Sequence, residues 1–173
     1  QSLPIDNPLA LEDLEIAAPA ARPHDIVVRV KAISVNPVDT KIRARRAPTE
    51  GKPEILGWDA VGIVETCGAE VTRFKPGDRV YYAGDITRPG TNSELHAVDE
   101  RIAALAPQSL DDEQAAALPL TSITAYELLF DRLGVPKQGG AGQTLLIIGG
   151  AGGVGSILIQ LARELTQLQV VAT

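Results

Sequence analysis

The residues best suited to chemistry are the glycines of Gly149-Gly150-Ala151-Gly152-Gly153-Val154-Gly155, which follow directly on Thr144-Leu145-Leu146-Ile147-Ile148. The spacing Gly150-x-Gly152-x-x-Gly155 assigns a role to each glycine. Gly150 can turn the chain sharply out of a strand, Gly152 can let an anion approach bare backbone, and Gly155 can bring a helix close to the strand. Amides at the helix start, those of Gly153, Val154 and Gly155, would then hold the pyrophosphate of a dinucleotide with help from the helix dipole. No Gly-Lys-Ser/Thr closes the pattern, so it is not a mononucleotide P-loop. The plain alternative is a structural turn rich in glycine.

The surrounding elements favour the ligand. Residues 144–148 are apolar almost throughout, as expected of a strand buried on both faces. Residues 156–165 are amphipathic, and a second β-branched strand starts at 169. Together they form a strand-loop-helix-strand unit of about 30 residues, the context a dinucleotide loop requires. The chain changes character near residue 110. Before it, short strands are expected at 26–35, 60–65, 79–82 and 93–98, separated by Gly, Pro and Asp, which suggests a small barrel or sandwich. After it, Ser109 with Asp111, Asp112 and Glu113 opens a helix, Pro119 ends or kinks it, and residues 122–133 resume a helical pattern. The expected domains are therefore 1–110 and 111–173.

Composition narrows the function. The chain has 173 residues, with 16 basic against 22 acidic side chains and a net charge of -6, which argues against nucleic acid as a partner. No stretch reaches the roughly 20 apolar residues that cross a bilayer, so no membrane partner is expected. One cysteine rules out an internal disulfide framework and fits a reducing, cytoplasmic setting. With only two histidines beside it, a thiolate-built zinc site is a poor fit.

Five ordered segments carry a family resemblance: Ser34-Val35-Asn36-Pro37-Val38-Asp39, Ile55-Leu56-Gly57-Trp58-Asp59-Ala60-Val61-Gly62, Lys75-Pro76-Gly77-Asp78-Arg79-Val80, Ala117-Leu118-Pro119-Leu120-Thr121-Ser122-Ile123-Thr124-Ala125 and the glycine loop. Together the chain resembles medium-chain dehydrogenases/reductases of the quinone oxidoreductase and zinc-type alcohol dehydrogenase-like branch. The resemblance implies a fold of mixed α and β: a GroES-like β-barrel catalytic domain followed by the start of a Rossmann domain, with the family's active site in the cleft between them. It also implies a fragment, lacking a first strand before Gln1 and most of the nucleotide domain after Thr173.

In zinc members of the family, the metal ligands fall at positions that here carry Asn36, Trp58-Asp59 and Leu120. The resemblance therefore implies zinc-independent, NAD(P)H-dependent hydride transfer to a quinone or an α,β-unsaturated carbonyl. A non-catalytic, crystallin-like nucleotide-binding protein is the alternative. The acidic residue that selects NAD would fall at or past Thr173, and the resemblance puts NADPH ahead of NADH. It places Asn36 and Thr124 near the nicotinamide and its ribose. Asn36 would either orient the cofactor amide or donate to the substrate oxygen; its plain alternative is a turn residue before Pro37.

Trp58 would be an apolar wall of the substrate pocket or a core residue, and Tyr82 would reach the pocket with its hydroxyl or pack in its strand. Some quinone reductases carry a tyrosine where Lys41 stands, which leaves the proton donor unassigned. Lys41, Arg43, Arg45 and Arg46 read as a solvated basic loop bounded by Pro48, His96 as a strand-edge residue, Asp39 and Asp59 as local loop stabilisers, and Cys67 as a small buried residue. A homodimer is implied through the nucleotide domain.

Overall fold

The computed structural model describes residues 3–46 and 53–173. They form two compact units, Gln1–Pro119 and Leu120–Thr173.

The first unit is built on five antiparallel strands: β1 (Asp25–Ser34), β2 (Asp59–Cys67), β3 (Arg79–Ala83), β4 (Leu95–Asp99) and β5 (Ala103–Leu105). Their order is β4-β1-β2-β3-β5. The two edge strands are joined by a single 3-10 turn, Glu100–Ile102. In a flat sheet those edges would stand about 19 Å apart, four inter-strand spacings. Four Cα steps reach about 14 Å at most. The sheet therefore curls round on itself, and irregularities in β1 between Val27 and Val28 and between Val30 and Ala32 give it places to bend. Ile26, Val28, Ala60, Val64, Val80, Tyr82, Val98 and Ala103 fill the interior. Four strands fall where hydrophobic alternation puts them. β5, three residues long, is too short to carry a pattern.

Two other features of this unit differ from expectation. The basic segment is a helix, α1 (Pro37–Arg45), and not a loop; Pro48 lies outside the described residues. Asn36 is its N-cap, Pro37 stands in the first turn, and the Asp39 carboxylate accepts the Asn36 backbone N–H. The unit also runs past residue 110. Helix α2 (Asp112–Ala116) packs Ala115 and Ala116 against Val61 and Ala106, so the boundary falls after Pro119. Asp111, and not Ser109, caps α2 by accepting the Gln114 N–H at 2.7 Å.

At the boundary Pro119 starts helix α3 (Pro119–Glu127), which runs into the second unit, instead of ending one, in keeping with the tolerance of first-turn positions for proline. A π-helical turn (Leu128–Arg132) continues it. Then come β6 (Thr144–Ile147), α4 (Gly153–Leu165) and β7 (Gln169–Ala172), with β6 and β7 parallel. Ala125, Leu129, Ile147, Leu158 and Ala162 form the core. β6 is not buried on both faces: Leu146 is 58 % exposed, because among the described residues only β7 pairs with it and helices cover one side. No described helix is long and apolar enough to cross a membrane.

Candidate functional site

At the end of β1 the chain turns through Asn36 into α1. The carboxylate of Asp39 accepts the Asn36 backbone N–H at 2.6 Å, which fixes the turn. Asn36 is 8 % exposed, and its side chain donates from Nδ2 to the Asp59 carboxylate at 2.8 Å. Register brings the two together: Asp59, the first residue of β2, pairs with Ser34, near the end of β1. The approach to Asp59 is itself fixed. Gly57 adopts a positive φ of 92°, and its carbonyl accepts the Thr91 N–H at 2.8 Å. The buried Thr91 hydroxyl donates to the Asp59 carbonyl at 3.3 Å. Asp59 is thus more than a loop stabiliser; it is the partner of the leading candidate residue.

Tyr82, expected at a substrate pocket, points into the barrel with Ala60, its partner in the β2–β3 register. Trp58, also expected there, is buried just before β2. Trp58 is 1 % exposed, and its indole N–H meets no acceptor among the described residues. The hydroxyl of Tyr82 lies 3.0 Å from His96 Nδ1, with the two rings stacked. His96 Nε2 faces the Pro89 carbonyl at 3.0 Å. A carbonyl only accepts, so Nε2 carries the proton, Nδ1 is the acceptor, and Tyr82 donates. Burial pushes the Tyr82 hydroxyl well above its usual pKa. It also lowers that of His96, against the opposing pull of the Pro89 carbonyl. His96 does lie on an edge strand, as expected, and the pair is a satisfied core contact.

In the second unit the glycine loop divides its labour differently from the spacing rule. The left-handed residue is Gly149, with φ 77°, so Gly149 and not Gly150 makes the turn out of β6. A Cβ on Gly150 would stand 2.8 Å from the Cβ of Ala172, so this glycine allows β7 to come close. One on Gly155 would lie 2.3 Å from the Gly149 carbonyl oxygen, so Gly155 lets α4 sit on the loop. Gly152 is exposed, and a Cβ there would meet only the Gly149 oxygen, at 3.3 Å. Gly152 is also the N-cap of α4 and supplies no side-chain cap. The first amides of α4, at Gly153, Val154 and Gly155, have no acceptor within the helix. An uncapped, glycine-lined helix start fits an anionic group such as a pyrophosphate. Thr124, exposed on α3, donates its hydroxyl to the Leu120 carbonyl at 2.8 Å, which leaves it acceptor capacity.

At the positions the resemblance gives as zinc ligands, the Asp59 carboxylate is the one ordinary zinc donor: the Asn36 amide is bonded to it, Trp58 presents an indole, and Leu120 a hydrocarbon, a set that does not fit a zinc ion. Among the described residues, no three His, Cys, Asp or Glu side chains converge. Cys67 is half-buried, its thiol directed at the Phe74 carbonyl. Burial, with Asp78 and Glu100 nearby, raises its pKa and makes it a poor ligand or nucleophile.

Comparison with known proteins bears on these features. The alcohol dehydrogenase GroES-like domain matches residues 22–108. The zinc-type alcohol dehydrogenase-like protein of Staphylococcus epidermidis is 45 % identical over 94 % of this chain and 48 % of its own length. A Rhizobium etli protein assigned as a zinc-dependent alcohol dehydrogenase has a crystal structure that superposes with a TM-score of 0.91 at 53 % identity, over 99 % of this chain and 50 % of that one. The quinone oxidoreductase of Escherichia coli, solved in complex with NADPH, superposes with a TM-score of 0.73 at 35 % identity, over 93 % of this chain and 47 % of that one. The chain spans about half the length of the curated relatives it matches.

Proposed function

Because this chain belongs to the alcohol dehydrogenase GroES-like family of medium-chain dehydrogenases/reductases, we propose that it serves a zinc-independent, NAD(P)H-dependent reductase acting on a quinone or an α,β-unsaturated carbonyl. The observation that carries this reading is the buried Asn36–Asp59 hydrogen bond. It stands where the zinc branch has a metal ligand, and it replaces a Lewis acid with a neutral amide and its anchor. Alcohol oxidation needs a stabilised alkoxide, which a metal supplies. Reduction of a conjugated carbonyl asks less, because the developing oxyanion needs only hydrogen bonds and a proton.

The chain's own residues would divide the work as follows. The amides of Gly153, Val154 and Gly155 hold the pyrophosphate, and Gly152 keeps side-chain atoms away from it. Bound there, a reduced nicotinamide supplies hydride. The family resemblance assigns Asn36 and Thr124, each on its own unit, to the nicotinamide end. Trp58 fills a zinc-ligand position with a buried indole that cannot bind a metal. NADPH is proposed ahead of NADH, and the substrate is a flat conjugated carbonyl. The family resemblance adds a homodimer, and the single thiol a cytoplasmic setting.

The test is oxidation of NADPH and NADH by the full-length protein with a panel of quinones and enones. Turnover faster with NADPH is expected. Tight NADPH binding without turnover would replace the enzyme with the crystallin-like alternative.

A further inference from the structure

We propose that Asp59 is a positioning residue that turns the Asn36 amide so that it offers a ligand an acceptor and never a donor. The inference rests on the proposed reading that Asn36 meets the cofactor, and it decides between the two roles left open for that residue. The Asn36 side chain donates from Nδ2 to Asp59 Oδ2 at 2.8 Å, so the face of the amide turned to Asp59 is its nitrogen. The other hydrogen of Nδ2 is directed toward the Ser34 carbonyl, 3.4 Å from the nitrogen. Rotating the amide by half a turn would give up both donations and set its oxygen against a fully buried carboxyl oxygen.

Neither partner can move aside easily. Asp59 is held in register opposite Ser34, with its carbonyl bonded to Thr91, and the Asn36 N–H is held by Asp39. The amide oxygen, with two lone pairs, is the part of Asn36 left with capacity for a ligand. The group it suits is an N–H donor, such as the carboxamide of a nicotinamide. It does not suit a developing oxyanion, which must find its donor elsewhere.

The experiment compares dissociation constants, by calorimetric titration of the full-length protein, for the reduced cofactor and for its 3-acetylpyridine analogue. The analogue keeps the carbonyl but carries methyl in place of the amide nitrogen. The wild type is expected to prefer the cofactor. Asn36→Ala should shrink that preference about tenfold, the worth of one good hydrogen bond. Asp59→Asn keeps the shape but can donate as well as accept, so it frees the Asn36 amide to turn and should shrink the preference comparably. If Asp59→Asn folds poorly by thermal melting, Asp59→Ser provides the same comparison. An Asp59 variant that weakens both ligands equally, with the preference intact, would show a merely structural role and overturn the inference. If Asn36→Ala also leaves the preference intact, the assignment of Asn36 to the cofactor falls with it.

Discussion

The two units handle their polar groups in opposite ways. In the barrel, buried polar side chains satisfy one another: Asn36 with Asp59, Tyr82 with His96 and through it Pro89, Arg88 with Asp25. In the glycine loop the polar groups are backbone amides, left uncapped at the start of α4. One region is specified by side chains that are present, the other by side chains that are missing. The barrel should therefore suffer when a polar atom is removed, and the loop when a carbon is added.

The largest test of that contrast lies in the barrel. Arg88 grips Asp25 with two hydrogen bonds, of 3.0 and 2.6 Å, and the Asp25 side chain is 3 % exposed. Burial opposes ionisation of Asp25, but the hydrogen bonds from Arg88 and the Arg22 N–H outweigh it and hold its pKa below the usual carboxylate value. Arg88→Met leaves that carboxylate buried and should cost about 3 kcal/mol in urea denaturation at neutral pH. The cost should shrink as pH falls through the native pKa of Asp25, where wild type loses the same contribution.

Next comes the loop. Gly155→Val drives carbon into the Gly149 carbonyl and should cost about 2 kcal/mol of stability together with NADPH binding. Gly152→Ala meets far less and should stay within about 0.5 kcal/mol of wild type while weakening NADPH about tenfold, because the methyl stands where phosphate must approach. Equal stability losses for the two glycines would break the contrast within the loop itself.

Smaller still is Tyr82→Phe, which leaves His96 Nδ1 without its donor and should cost about 1 kcal/mol. His96, with Arg88 and Asp25 nearby, has a native pKa below its unfolded value of about 6.5. Its contribution should therefore be intact above about pH 6.5 and decline as pH falls toward the native value, since the unfolded chain takes up the proton first. Denaturation curves of His96→Gln should be flatter than wild type over that window.

What the sequence disclosed followed the range of the interactions. The loop, α4 and the strand after it are local, and their pattern of apolar run, glycines and amphipathic run is legible residue by residue. Signals for α1 were also present in Asn36, Pro37 and Asp39, but nine residues dominated by charge and lacking an apolar face read as a loop. The Asn36–Asp59 pair spans 23 residues and depends on the register of β1 against β2, which no local pattern encodes. Tyr81 and Tyr82 are adjacent and chemically alike, so only the strand's pleat decides which one enters the core. The turn at Gly149 is a matter of φ, and the fingerprint spacing counts glycines without saying which of them is left-handed.

The central claim is that hydride transfer on this scaffold proceeds without a metal. Its most direct test is to measure NADPH oxidation with a responsive quinone or enone before and after exhaustive chelation of the full-length protein, with zinc quantified in the same samples. The account predicts well under one zinc per chain and an unchanged rate. Stoichiometric zinc, with activity lost on chelation and restored by zinc alone, would contradict it.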